Sequence, residues 1–557
     1  MVFYPLVNMT SYNDYIIYII LIIRKPTFLI LCALLSFSAF SQNQAEIQLA
    51  NEYLLKGDKK KAVELYRDLS KNDANVHLIH NNYINLLIDL GSYDEAHAYL
   101  KRISRRDPEN MQYKLDVGLV YVRSGDLPKA DRYLKDIINE VKANVQLSKM
   151  MSDYLAGRSL IEYSILALTE SRQHLGNPYL FCLDLAMLYR IQGQQDKMVQ
   201  EYLSYVTQSS ANIQYVKNVM QALLTKPEEL ESLERLLYDK VQQNPDVEVY
   251  TDLLIWVTMQ QKNFYASFIQ ARAYDKRYKK EGEKSMEVAK VALDNEDYDN
   301  ASKIYRYVIR EYAGTGNHLL ARLGLIKTRE LRVRKSFPVN ADSVKTLIVD
   351  YQRFIEKYPD NAHSLEATRN EALLLANYLD MKDSAIHVLN KLISNPRASL
   401  YLKSKAKLDL GDIHLIRNEP WESTLLYSQV EKTQKENPVG YEAKLRNAKL
   451  SYYKANFKLA QEHLDILKEA TTREIANDAM ELSMRIKENI AFDSVGMALR
   501  EFASVELLLY QNKQTEALEK IKQLKEGQVI NGGAVTAFSN QTILDDVYWL
   551  EATMRMK

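Results

Sequence analysis

Three stretches decide the fold: NEYLLKGDKKKAVELY (51–66), NLLIDLGSYDEAHAYL (85–100) and LVYVRSGDLPKADRYL (119–134). Set in register, they place Gly57, Gly91 and Gly125 34 residues apart, with Ala62, Ala96 and Ala130 following each glycine by five. A glycine at a fixed place after an apolar-periodic run suits a turn through the left-handed region, where a β-carbon is costly. An alanine early in the next run lets two helix backbones approach closely. Tyr53 and Tyr121 before the turn, and Tyr66 after it, fill the remaining gaps, while Pro108 closes the second helix of the second unit. The unit is a pair of antiparallel helices, A then B, and it recurs.

A 34-residue period in a polar, helix-forming chain resembles the tetratricopeptide repeat family. The resemblance is strong over 45–140, fair near 180–315 and weaker beyond. It implies an all-α protein, an α-α superhelix of antiparallel helix pairs in which each repeat touches only its neighbours. It also implies that helices A line a concave groove able to bind protein. The non-packing positions of helices A in the first three units are Asn51, Asn81, Asn82, Asn85, Asp89, Gln112 and Arg123, and these are the candidate protein-binding residues. Some members of the family hold a partner's terminal carboxylates with two asparagines and three cations. Asn51 and Asn82 match those asparagines, but Ile47, Gln112 and Asp116 stand at the cationic places, which excludes that mode.

The 557-residue chain exceeds what one compact core usually serves, a limit that a solenoid escapes. Seventeen glycines and twelve prolines suit a chain of helices with short turns. Charge is balanced, 73 Lys+Arg against 72 Asp+Glu, so no global field favours nucleic acid or an anionic membrane. Cys32 and Cys182 are the two cysteines; the first lies in the leader, and the second falls in an apolar run and reads as a buried structural thiol.

Residues 1–41 read as a leader. Arg24-Lys25 precedes the apolar run Phe28–Leu35, and Ala39 and Ser41 supply small residues before a cut, predicting signal-peptide cleavage after Ser41. The earlier apolar run Tyr15–Ile23 is too short to span a bilayer, so residues 1–23 read as an over-extended start. The alternative is an uncleaved anchor across both runs, which would bury two cations and is the only route to membrane association. The protein is thus expected to be exported and periplasmic or envelope-associated.

Beyond the third unit the 34-residue clock continues. Gly125 and Gly193 are 68 residues apart, which requires one degenerate unit near 150–175. Asn263 and Asp297 again stand 34 apart at the turn. Residues 42–315 form the predicted N-terminal array. From 316 to 542 the recurring positions Ala385, Ser423 and Ala460 are 37 or 38 apart, predicting longer repeats, with an extra helix between Thr471 and Tyr510. Gln528–Thr542, with Asn531-Gly532-Gly533, reads as loop. Residues 543–557 read as the first helix of an incomplete repeat, with an uncovered face of Val547, Trp549, Leu550 and Ala552.

No catalytic residue, cofactor motif or metal site stands out. His77 and His80 lie at i, i+3 without carboxylate spacing and read as surface histidines. No glycine-rich run precedes Lys-Ser/Thr, and no nucleophile motif is present. The basic clusters Arg272–Lys280 and Arg329–Lys335 read as solvated helix faces. The reading is therefore a non-enzymatic extracytoplasmic scaffold or adaptor for protein partners of the cell envelope, with no nucleic acid and no small-molecule substrate. The alternative is the repeat array of a larger sensor or enzyme-associated protein.

Overall fold

The computed structural model describes residues 44–359, 361–469, 472–492, 496–526, 528–531, 534–537 and 542–556. The predicted leader, its cleavage site and Cys32 lie outside the described residues. The chain forms two compact units, one to Leu253 and one from Leu254. Each is built of antiparallel helix pairs in chain order.

In the first unit the pairs are α1 (residues 44–55) with α2 (Lys59–Leu69), α3 (Asp73–Asp89) with α4 (Tyr93–Arg106), and α5 (Met111–Arg123) with α6 (Leu127–Val141). There follow α7 (Val145–Gly157) with α8 (Ile161–His174), α9 (Cys182–Ile191) with α10 (Gln195–Gln208), and α11 (Ile213–Leu223) with α12 (Pro227–Gln243). The division between the units falls within α13 (Glu248–Gln260).

The second unit continues with α14 (Phe264–Tyr278), α15 (Glu283–Asp294), α16 (Tyr298–Glu311), α17 (Gly316–Lys335), α18 (Ala341–Lys357), α19 (Ala362–Tyr378) and α20 (Lys382–Ser394). Next come α21 (Leu400–Ile416), α22 (Pro420–Thr433), α23 (Pro438–Tyr453), α24 (Phe457–Glu469), α25 (Arg473–Phe492), α26 (Met497–Tyr510) and α27 (Gln514–Lys525), and then α28 (Thr542–Met556). Among the described residues no helix is long and apolar enough to cross a membrane.

The turn explains the pairing. Gly91 has φ +67°, its N–H reaches the Ile88 carbonyl (3.0 Å), and the Ser92 N–H reaches that of Leu87 (2.9 Å). This Schellman pattern closes helix A and points the chain back along it. The next helix then starts in contact with the last, and Ala96 is fully buried between the two. Where the glycines stop, the backbone does not. Ser159, Lys262, Glu296, Asp380, Asn418, Ala455 and Asn512 hold the same left-handed conformation with φ between 56° and 66°. Five residues after each lies a fully buried small side chain: Ser164, Ser267, Ala301, Ala385, Ser423, Ala460 and Ala517. Ser159 stands 34 residues after Gly125, so α7 and α8 are the degenerate unit that the spacing requires.

Side-chain caps fix the helix starts. Asn72, Asn144, Asn263, Asp297 and Asn361 each accept a backbone N–H from the first turn. Many of the tyrosines fill the core, with Tyr66, Tyr83, Tyr351, Tyr427 and Tyr452 among the largest fully buried side chains.

Four expectations change. Residues 528–537 are not simply loop: Gln528–Asn531 (β1) pairs antiparallel with Ala534–Ala537 (β2), while Gly532 and Gly533 lie outside the described residues. In α28, Val547 and Ile543 are fully buried in a cluster with Phe502 and Ile521, while Trp549 stays exposed at 67 %. His80 is not a surface residue but is buried, because it meets a carboxylate from the next repeat. The basic cluster at 329–335 is also more than a solvated face. Arg329 pairs with Asp350 (2.6 Å), Arg332 with Asp299 (2.5 Å), and Arg334 Nε donates to the Tyr378 hydroxyl (2.9 Å), tying α17 to its neighbours.

Candidate functional site

The candidate residues of the first unit lie on α1, α3 and α5, and most are tied across neighbouring A helices. Asn51 Oδ1 accepts from Asn82 Nδ2 (2.9 Å) and from the Tyr66 hydroxyl. Asn81 Oδ1 accepts from Gln112 Nε2 (2.6 Å), and Asn85 accepts from the Arg158 guanidinium. Asp89 pairs with Lys59 (3.1 Å), and Arg123 Nη2 donates to the Arg158 carbonyl (3.1 Å). Asn81, Asn85 and Gln112 come together with Asp153, Tyr154 and Arg158 around an open cleft of about 480 Å³. Asn51, Asn82, Asp89 and Arg123 do not line it.

Tyr154 and Arg158 come from α7, the unit whose repeat residues had faded, so no motif pointed to them. The Arg158 guanidinium lies 5.3 Å from the Tyr154 ring centroid, a cation–π contact at the cleft wall. Beneath it runs a buried polar chain. The Tyr154 hydroxyl donates to Asp116, whose other oxygen meets His80 Nε2 at 2.7 Å, and His80 Nδ1 meets the Tyr99 hydroxyl at 3.1 Å. With its proton on Nε2, His80 donates to Asp116 and accepts from Tyr99, so every member has a partner. Burial, and then the Asp116 charge, push the Tyr154 phenol well above its ordinary range. The chain stitches α3, α4, α5 and α7, and it also explains why Asp116 cannot serve a groove ligand.

A larger concavity lies in the second unit, on helices where the sequence reading placed no site residue. There α22 and α24, each the second helix of its pair, flank a groove of about 1010 Å³ floored by α23. Trp421, 75 % exposed, forms one lip, and Lys454 Nζ sits 4.0 Å over its ring. Leu459 and Ile466 of α24 face the groove from the other side. On the floor, Lys444 pairs with Glu431 (3.0 Å), whose other oxygen accepts from Asn447 Nδ2 (2.9 Å). His463 Nδ1 lies 4.0 Å from Glu431. Burial lowers the His463 pKa, Glu431 works against that and Lys444 reinforces it, leaving the ring neutral at pH 7. The imidazole thus faces a carboxylate that is already paired with Lys444. The legible signal was apolar side chains on the outward stripe of a B helix: Trp421 with Leu425, and Leu459 with Ile466.

These features define an all-α array of antiparallel helix pairs with peptide-sized grooves. Residues 84–137, from within α3 to within α6, match the profile of the tetratricopeptide repeat family. That segment therefore carries tetratricopeptide repeats, and the same turn and buried small residue recur in the helix pairs beyond it. Among solved structures it is similar to one described as Naa15/Naa10 bound to HypK-THB (13% identity, TM-score 0.34, covering 86% of this chain and 76% of that one). It is also similar to a tetratricopeptide repeat protein from Parabacteroides merdae (14%, 0.28, covering 49% and 99%) and to yeast Tom70 (14%, 0.31, covering 82% and 98%). Likenesses this distant say nothing of what the chain binds. No curated protein matches the sequence.

Proposed function

We propose that this protein is a non-enzymatic scaffold that holds another protein, exported and acting in the cell envelope. The observation that carries the binding role is the groove over α23, where Trp421, Ile466 and Leu459 stand 75 %, 51 % and 40 % exposed around one concavity. Large apolar side chains gathered at a groove mark interaction surfaces. The cleft of Asn81, Asn85 and Gln112 offers a second, more polar contact. Tetratricopeptide repeats generally serve as protein-interaction scaffolds without catalysis, in keeping with this reading.

Export and an envelope partner rest on the leader: basic pair, short apolar run and small residues before Ser41. N-terminal sequencing of the protein from its native cell tests this, with Gln42 as the expected first residue. The binding role is tested by chemical cross-linking in intact envelopes and identification of what is captured. Loss of a captured partner on Trp421→Ala or Asn85→Trp supports the scaffold. A wild-type chain that captures nothing above a non-specific control overturns it.

A further inference from the structure

We infer that the groove between α22 and α24 receives an amphipathic, acidic helix from the partner protein. The inference rests on the scaffold reading and adds the chemistry of the occupant. Three features of the groove support it.

Its rails are apolar and helical in spacing. Trp421 stands at the start of the α22 rail, and Leu459 and Ile466 stand two turns apart on the α24 rail. From Trp421 to Lys432 the wall runs about 16 Å, the length of a helix of roughly eleven residues. A helix with apolar side chains at i, i+3 or i+4, and i+7 meets both rails along that length.

Part of its polar lining is already committed to the fold. A strand-like peptide needs donors and acceptors for its unpaired amides, whereas a helix satisfies its own. The Asn447 amide is committed to Glu431 and Ser428, and the Thr424 hydroxyl donates to the Pro420 carbonyl (2.8 Å). Those groups are spent on the fold.

Its charge is cationic. Lys432, Lys435, Lys444 and Lys454 line it against Glu431 and Glu436. Lys444 is taken by Glu431, and no carboxylate among the described residues lies within ion-pair distance of Lys432 or Lys435. These two lysines, with Lys454 over Trp421, complement acidic side chains flanking the apolar face of an incoming helix.

Selection of a displayed library of random 16-residue peptides on the full exported chain tests this. The expected winners carry an apolar i, i+3/i+4, i+7 stripe with flanking Asp and Glu, gain helical circular dichroism when bound, and bind more weakly at high salt. Trp421→Ala, and Lys432→Glu combined with Lys435→Glu, should each weaken them by about tenfold or more. These side chains are exposed at the groove, and unchanged circular dichroism of each variant confirms that it folds. Groove-dependent winners that are basic, neutral or bound without helix overturn the inference. So do acidic winners indifferent to all these substitutions. Winners that respond to Asn85→Trp but not to Trp421→Ala leave the scaffold reading standing and remove this one, while no binder at all removes both.

Discussion

Ala455 holds a left-handed turn at φ 58°, in the place that Gly91 fills at φ 67° in the first unit. A β-carbon there costs roughly 1–2 kcal/mol, partly offset by the lower entropy that an alanine loses on folding. Ala455→Gly is therefore expected to stabilise the α23–α24 pair by about 0.5–1 kcal/mol, and Gly91→Ala to destabilise α3–α4 by a similar amount. Amide exchange resolved to each helix pair checks both, since a repeat array need not unfold in one step. Glu95 carries a pH-dependent term. Arg67 grips its carboxylate with two bonds (2.6 and 2.8 Å), and the Tyr83 hydroxyl adds a third (2.8 Å). The Arg67 hydrogen bonds, aided by Tyr83, hold the Glu95 pKa below its ordinary 4.5. A depressed carboxylate contributes stability that is present above 4.5 and fades as pH falls through the lower folded value. Glu95→Gln should then destabilise by under about 1 kcal/mol at pH 7, the site being partly exposed. The difference from wild type should vanish under acid, as paired melts across pH would record.

At the scale of the element, close packing of A on B sets the tolerance. A β-carbon built on Gly118 of α5 would lie 2.4 Å from Leu134 Cδ2 and 2.9 Å from its Cγ on α6. Both residues are buried, so Gly118→Ala should cost about 1–3 kcal/mol by overpacking. Adding Leu134→Ala should restore part of that loss, a non-additivity that a double-mutant cycle of denaturation midpoints reads directly. The elements also show why the motif fades from sequence while the fold persists. The turn requires a conformation, not a residue type, and Ser159, Glu296 and Ala455 adopt it at a cost that tertiary packing covers. The buried partner five residues on needs only small size, so serine at 164, 267 and 423 serves as alanine does. A reading keyed to glycine and alanine loses such units. The same reading took residues 528–537 as loop because glycines and short runs mark hairpins and loops alike.

For the whole molecule, the helix-pair architecture was legible because period, turn and small residue coincide in the first three units. The candidate surface was legible only in part. Asn81, Asn85 and Gln112 do line a cleft, yet Tyr154 and Arg158 close it from a unit with no motif left. Asn82 donates its amide N–H to the Asn51 side-chain oxygen, a pairing between residues 31 apart that periodicity on one helix cannot show. The groove over α23 was missed because attention fell on A helices, while its lips are the outward faces of two B helices. The most direct test of the scaffold account is site-specific photo-cross-linking in the native envelope. A photoreactive residue is placed in turn at Asn85, at Ile466 and at the exposed Glu64. The account predicts a discrete protein adduct from Ile466, from Asn85 or from both, and none from Glu64. Equal labelling at all three positions, or no adduct at either concave site, would contradict it.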